Sequence, residues 1–257
     1  MKVYICTDLE GPAMISTFAQ TRDVTVEEKQ RSMYFLTGEI NAAVDGILDF
    51  DSAAEVIVWD GHGGGGIDNR AFHKQAKLIA RGPIAAPYYL DETFDAFMFV
   101  GQHAMMGDRG VLCHTYSSKS IEYYKINDIE MGEFGCRALM AGTMGVPTTF
   151  VTGDDVTLEE AQDLIPNIEG AVVKTALGRE LAIHLSHEAA CELIREQARI
   201  ACERTEEIQP YFFPGPYTQE IRVLEGVSIQ GYLDRGAEFV DSRTVRRTSA
   251  NICDLHI

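Results

Sequence analysis

The chain has 257 residues, 46% apolar and 24% charged, an ordinary globular composition long enough to bury one substantial core or two unequal lobes. A formal charge of −17, from 22 Lys and Arg against 39 Asp and Glu, opposes a nucleic-acid surface, which needs excess basic charge. No basic start precedes an apolar run, and no stretch of about 18 uncharged apolar residues occurs, so neither a secretory signal nor a membrane span is expected.

Cys6, Cys113, Cys136, Cys191, Cys202 and Cys253 are scattered, without a C-x-x-C pair. They read as reduced, mostly core thiols of a cytoplasmic protein.

In chain order, Lys2 to Thr7 has strand character and runs into Asp8-Leu9-Glu10, then the breaker Gly11-Pro12. Thr25 and Glu28 form a capping box opening a helix to about Phe50, with Met33, Leu36, Ile40, Val44 and Ile47 at helical spacing. A strand at 55–59 ends in Asp60-Gly61-His62 and the glycine run Gly63 to Gly66; a shorter one is expected around 77–80. A buried strand at 95–100 ends in Gly101-Gln102-His103, and 110–116 reads as a strand or extended segment carrying His114. Tyr123 to Ile126, a turn at Asn127-Asp128, and Ile129 to Met131 read as a hairpin. A helix from Gly132 to Met144 carries Glu133 in its first turn. The strand 146–152 is closed by Gly153-Asp154-Asp155; Thr157 and Glu160 form a second capping box, and Pro166 stops the helix. A strand at 171–174, a helix from His187 to about Glu203 capped by Ser186, and short strands, 220–224 the clearest, complete the chain.

Strands alternating with helices indicate an α/β layered fold with a mostly parallel central sheet and a smaller C-terminal α+β region. The expected division is 1–165 and 166–257, with no linker to mark it, so a single compact domain remains an alternative.

Three apolar strands end in metal-competent residues: Asp8 and Glu10, Asp60 and His62, and His103. In open α/β sheets these ends share one crevice. Spacing of i, i+2 lets Asp8 and Glu10 converge, and two such carboxylates repel unless a cation sits between them. Glu133 and His114 can complete the cluster. Carboxylates with neutral imidazoles suit Zn²⁺, or failing that Mn²⁺ or Fe²⁺. Five ligands exceed what one catalytic zinc takes but fit two ions if Asp8 bridges: Asp8, Glu10 and His62 on one, Asp8, His103 and Glu133 on the other, with a shared hydroxide as nucleophile.

The ordered set Asp8-Leu9-Glu10-Gly11, Asp60-Gly61-His62, Gly101-Gln102-His103-Ala104, Cys113-His114, Ile126-Asn127-Asp128 with Gly132-Glu133, and Gly153-Asp154-Asp155 resembles the zinc-dependent D-aminopeptidases of the DppA type, from residue 1 to about 190. The resemblance implies a dinuclear zinc site on those five ligands, His114 as the catalytic residue, and removal of an N-terminal D-amino acid, typically D-Ala, from short peptides or amides. It also implies a ring-like homo-oligomer, a decamer among its forms. Departures are the glycine run and the stop at Ile257, where similar proteins continue into a further helix.

Each residue also has a plainer reading. Asp8 and Glu10 can be a solvated turn, His62 and His103 hydrogen-bonded structural groups, and Glu133 an acid favoured by a helix N-terminus. For His114 the choice is between proton transfer, oxyanion binding, direct attack and a buried structural role. Cys113 faces the opposite way if the chain is extended there. Asp60 orients His62 or nearby backbone, or is a turn residue. Gly63 to Gly66 lacks the Lys-Ser/Thr of a phosphate loop. Asp154-Asp155 is a helix-start signal rather than a third metal site, His73, His184, His187 and His256 are structural, and Trp59 and Tyr211-Phe212-Phe213 are core or subunit interface. Competing functions are a binuclear amidohydrolase or phosphoesterase acting on other substrates, a phosphoester substrate being disfavoured by the few basic residues among the motifs, and a silent oligomeric binding protein, disfavoured by the complete ligand set.

Overall fold

The computed structural model describes residues 1–22, 25–80 and 84–255. In order the elements are β1 (Lys2–Thr7), α1 (Phe18–Thr21), α2 (Val26–Phe50), β2 (Glu55–Asp60), β3 (Ala76–Ile79), β4 (Ala96–Val100), β5 (Ile121–Ile126), β6 (Ile129–Glu130), α3 (Glu133–Thr143), β7 (Thr148–Asp154), α4 (Asp155–Leu164), β8 (Glu169–Gly178), β9 (Leu181–His184), α5 (His187–Glu203), β10 (Tyr217–Val223), α6 (Gln230–Leu233), β11 (Glu238–Asp241) and β12 (Thr244–Ser249).

β1 pairs in parallel with β2 on one side and β4 on the other, Ile5 standing between Val58 and Met98. Parallel strands covered on both faces read as continuous apolar runs, which is why β1, β2 and β4 are buried almost throughout. Side chains of β1 alternate between two cores. Val3 and Ile5 pack with Leu36, Ile40, Ile47, Phe150 and Ile194, under α2 and α5. Tyr4 and Cys6 pack with Phe97, Phe99, Phe134 and Leu139 on the other side, where Tyr124, Ile221 and Val245 of the second sheet also arrive.

The seven-stranded sheet has the order β3-β2-β1-β4-β7-β8-β9, parallel except for β9, and a five-stranded sheet has the order β11-β12-β10-β5-β6. The α/β layered architecture with a mostly parallel central sheet is as expected from the alternation of elements. The 165/166 division does not coincide with a break between sheets: β8 and β9 extend the large sheet, α5 packs on α2, and β5 and β6 join the small sheet from the N-terminal side.

Two local expectations are corrected. Residues 110–116 form no strand; Leu112 and Tyr116 take φ of 55°, left-handed turns that a ladder cannot contain. The cap of α4 is Asp154 rather than Thr157: Asp154 Oδ1 accepts from the Thr157 N–H (2.8 Å) and hydroxyl (2.7 Å), so the helix starts earlier. The hairpin turn at Asn127 and Asp128 has φ of 50° and 67°, the left-handed pair that matches strand twist.

The chain leaves β1 toward β2 and β3, then returns on β1's other flank as β4. Above this reversal the C-terminal turns of β1 and β4 interlock backbone to backbone. The Gly11 N–H donates to Gly101 O (2.7 Å), a Cβ on Gly11 would lie 2.2 Å from Gln102 O, and one on Gly101, at φ +78°, would lie 2.2 Å from Asp8 O. Only glycine allows that approach.

α2 and α5 cross as closely at Gly46, where a Cβ would meet Arg195 O at 2.1 Å. Gly46→Ala gains about 1 kcal/mol of helix propensity but forces the helices apart, so a net loss of about 1–2 kcal/mol is expected. A urea midpoint lowered at unchanged slope checks it, and an unchanged midpoint would show that the crossing has room to spare.

Candidate metal centre

The crevice beyond the strand ends gathers every residue expected there. Asp8, Glu10, His103, His114 and Glu133 are all buried, and His62 nearly so. Asp8 divides its oxygens: Oδ1 lies 2.9 Å from His62 Nδ1 and Oδ2 3.3 Å from His103 Nε2. Glu10 Oε2 is 3.1 Å from His62 Nδ1, and Glu133 Oε1 is 3.4 Å from His103 Nε2 and 4.0 Å from His114 Nε2. Two groups have donor atoms within 4.8 Å of one another, Asp8-Glu10-His103 and His103-His114-Glu133, with His103 common to both.

The outer nitrogens decide how the rings can act. His62 Nε2 meets Thr21 O (2.9 Å), His103 Nδ1 meets Ala104 O (2.9 Å), and His114 Nδ1 meets Leu112 O (2.8 Å). A carbonyl only accepts, so each of these nitrogens carries the hydrogen and the opposite nitrogen faces the carboxylates. In the neutral ring that inward nitrogen is a lone pair aimed at anionic oxygen, a repulsive contact unless a proton or metal ion intervenes. Two buried atoms at this point, Glu10 Oε2 and His103 Nε2, make no hydrogen bond. Imidazole nitrogens anchored from behind, carboxylates, and no thiolate fit Zn²⁺, Mn²⁺ or Fe²⁺. Cys113 takes no part, its thiol donating to Asp108 O.

Titration follows from the same contacts. Burial alone would lower His62 and His103, but the carboxylates of Glu10 and Asp8 on one, and of Asp8 and Glu133 on the other, outweigh it and raise both well above the ordinary range. Asp8 is held well below its usual value, burial being overcome by His103 and His62. Glu133 falls to about 2 against its burial, through Arg137 and His103. His114 moves down, through burial and then the neighbouring His103 charge, so its imidazole stays neutral.

His114 stacks on His103 with ring centres 4.0 Å apart and meets the edge of Phe18 at 6.0 Å. Its loop is held at two points: Asp154 Oδ2 accepts from the Val111 N–H (2.6 Å), and Ala104 O accepts from the His114 N–H (3.2 Å). Asp154 is therefore both helix cap and loop anchor. Asp60 accepts from the Gly66 and Ile67 N–H groups, bracing the glycine turn rather than His62. His73 pairs with Asp45, His184 accepts from the Met14 N–H, and His187 lies near Cys191, all apart from the cluster. His256 lies outside the described residues. Trp59 is buried and stacks on Tyr88; Tyr211 and Phe213 pack on the core while Phe212 is exposed.

Other functional groups come from tertiary contact. Arg137, 3.2 Å from Glu133, stands four residues on along α3, an ion-pair spacing visible in the sequence. Lys174 has no such signal: fully within the core, its Nζ donates to Glu10 O, Pro12 O (3.2 Å) and Ile15 O (2.6 Å), clamping the loop that carries Glu10. Burial pushes its pKa down to about 8. The cavity above the cluster encloses about 590 Å³. Its walls include Arg22, Lys119 and Arg137, so basic residues do line the site although few stand among the motifs.

A profile of the D-aminopeptidase family matches residues 1–256. A D-aminopeptidase of Bacillus subtilis (strain 168) is 31% identical over 215 residues, 82% of this chain and 77% of the relative. A solved structure described as the Zn-dependent D-aminopeptidase DppA from Bacillus subtilis, a self-compartmentalizing protease, superimposes with a TM-score of 0.91 at 26% identity, covering 98% of this chain and 93% of that one.

Beside the Lys174 clamp, Glu39 Oε1 accepts from the Ala13 N–H (2.7 Å), and burial raises its carboxyl to about 8 from 4.5. A raised carboxyl contributes stability that is fully present below the unfolded value and lost as pH rises through the folded one. Stability should therefore decline between pH 4.5 and 8. Glu39→Gln, which keeps the acceptor and cannot ionise, should flatten that decline. Parallel pH–stability curves for the two proteins would show instead that Glu39 is ionised in the fold.

Proposed function

The chain belongs to the D-aminopeptidase family of metal-dependent peptidases, and we propose that it is a dinuclear zinc enzyme that removes N-terminal D-amino acids, D-Ala foremost, from short peptides or amides. The observation that carries this reading is the set of inward imidazole nitrogens facing carboxylate oxygens, two of these buried atoms without a hydrogen bond. In this reading Asp8, Glu10 and His62 hold one ion and Asp8, His103 and Glu133 the other, with Asp8 shared and Mn²⁺ or Fe²⁺ as substitutes. When bound, the ions supply Lewis acidity toward the scissile carbonyl and acidify a water.

The protein's own groups supply the rest. His114, its Nδ1 hydrogen committed to Leu112 O, presents an unprotonated Nε2 that takes a proton from the attacking water and returns it to the leaving amine. Arg137 holds Glu133 ionised and in place. A cytoplasmic location, read from the scattered thiols, belongs to the same proposal; among the described residues no helix is long and apolar enough to cross a membrane.

Self-association into a ring-like homo-oligomer is part of this reading. The structural relative is described as self-compartmentalizing. In this chain Leu177, Leu181 and Ile183 are 58%, 58% and 61% exposed around the edge strand β9. An apolar sheet edge of that kind invites pairing with a second copy.

Elemental analysis should find about two zinc ions per chain, by the open-site chemistry of binuclear hydrolases. D-Ala-D-Ala and D-Ala amide should be hydrolysed and their L counterparts not. His114→Ala should lower kcat by about 100-fold or more with metal content intact, and Asp8→Asn should lose both ions. Fewer than one ion per chain, or equal rates on D and L substrates, would sink the assignment. Ile183→Glu should convert a large assembly into smaller species by sedimentation velocity; a wild-type monomer would refute the ring.

A further inference from the structure

Glu160, expected to complete a capping box with Thr157, does something else. Asp154 caps α4, and the Glu160 side chain leaves that helix for the turn that follows His103. There its Oε2 accepts from the Met105 N–H at 2.7 Å, the short distance of a charge-assisted bond. Among the described residues its other oxygen, Oε1, is buried and makes no hydrogen bond, so the carboxylate spends its charge on that one N–H. The same oxygen is packed against the start of α3, where Glu133 stands: a Cβ on Gly132 would lie 2.7 Å from Glu160 Oε1.

The Met105 N–H belongs to the same peptide group as Ala104 O, and that oxygen holds two histidines of the site. It accepts from His103 Nδ1 (2.9 Å) and from the His114 N–H (3.2 Å). A continuous path therefore runs from the Glu160 carboxylate, through one peptide group, to the His103 ring and its inward Nε2. A carboxylate on the N–H end of a peptide drives negative charge toward the carbonyl oxygen and makes it a stronger acceptor. An imidazole donating to such an oxygen becomes a more basic ligand at its other nitrogen, as in a carboxylate–histidine pair bonded directly. His62 is backed differently. Its acceptor, Thr21 O, belongs to a peptide whose Arg22 N–H donates to the neutral Phe18 O (3.1 Å).

We propose that Glu160 is a positioning residue for the ion assigned to His103 and Glu133, acting on His103 through the Ala104–Met105 peptide to strengthen it as a ligand. This rests on the dinuclear reading and goes beyond it by making the two ion sites unequal. The imidazole on one side is reinforced by a relayed carboxylate, whereas the imidazole on the other is backed by helix backbone alone.

The test is a zinc titration of the full chain in competition with a chelator of known affinity. It is run at about pH 8.5, above the value of about 7 to which burial raises Glu160, so that the carboxylate is ionised. Glu160→Gln keeps an acceptor for the Met105 N–H and removes the charge, while Glu160→Ala removes both. One of the two zinc dissociation constants should rise about 10-fold in Glu160→Gln and up to about 100-fold in Glu160→Ala, the other staying within about 3-fold. The unaffected ion is an internal measure of correctly folded chain. In the metal-free chain the His103 Nδ1 proton resonance should move upfield in Glu160→Gln, its acceptor being weaker, with the His62 Nε2 proton unmoved. A residue that merely packs would leave both the zinc constants and the resonance of Glu160→Gln at their wild-type values. Two unchanged constants, an equal rise in both, or an unmoved resonance overturns the proposal. Fewer than two ions on the wild type defeats the dinuclear reading instead, and the metal-free resonance alone then decides: a shift upholds the relay and its absence overturns it.

Discussion

Three buried carboxylates cannot share one crevice without a counter-charge, and the architecture around Asp8, Glu10 and Glu133 is arranged about that constraint. Protein groups answer part of it: Arg137 sits on Glu133, and the inward nitrogens of His62 and His103 stand between pairs of carboxylates. Because the outer nitrogens are committed to main-chain carbonyls, those rings cannot turn to relieve the contact. The cluster is pre-organised for positive charge, whether protons or metal ions, and its rigidity comes from backbone rather than from other side chains.

That backbone rigidity has identifiable sources. Gly11 and Gly101 let the turns after β1 and β4 approach until their peptide groups bond directly. Lys174, reaching from β8, fastens the segment after Asp8 through carbonyls at Glu10, Pro12 and Ile15. Asp154 caps α4 with one oxygen and secures the His114 loop with the other. Each of these ties draws on a strand of the large sheet. The sheet therefore sets the donor positions to within the tolerance of its own hydrogen bonds, as a site on rigid elements requires.

Charge is distributed unevenly on a larger scale. Most carboxylates of this acidic chain are surface groups, while the cavity opposes an acidic floor to a basic rim. α1, four residues long, meets both ends, contacting His62 and His114 below and presenting Arg22 above.

The sequence by itself determined the parts with local or periodic signals. Apolar runs at 2–7, 55–59 and 95–100 ended in Asp8, Glu10, His62 and His103, and a parallel sheet necessarily brings such ends together; Glu133 opened a helix after a turn whose Asn-Asp pair was equally legible. Arg137 was within reach of the same reasoning, through its i,i+4 spacing. Tertiary structure alone decided which oxygen faces which nitrogen, because tautomers follow from carbonyls at Thr21, Ala104 and Leu112, none of which has a side-chain signature. It also decided the irregular path of 110–116, where contacts from Asp154 and Ala104 override a strand-like composition, and the strands shared across position 165. Lys174 and Arg22 belong to this second class. Their partners lie up to 164 residues away, and no pattern along the chain encodes a distance through space.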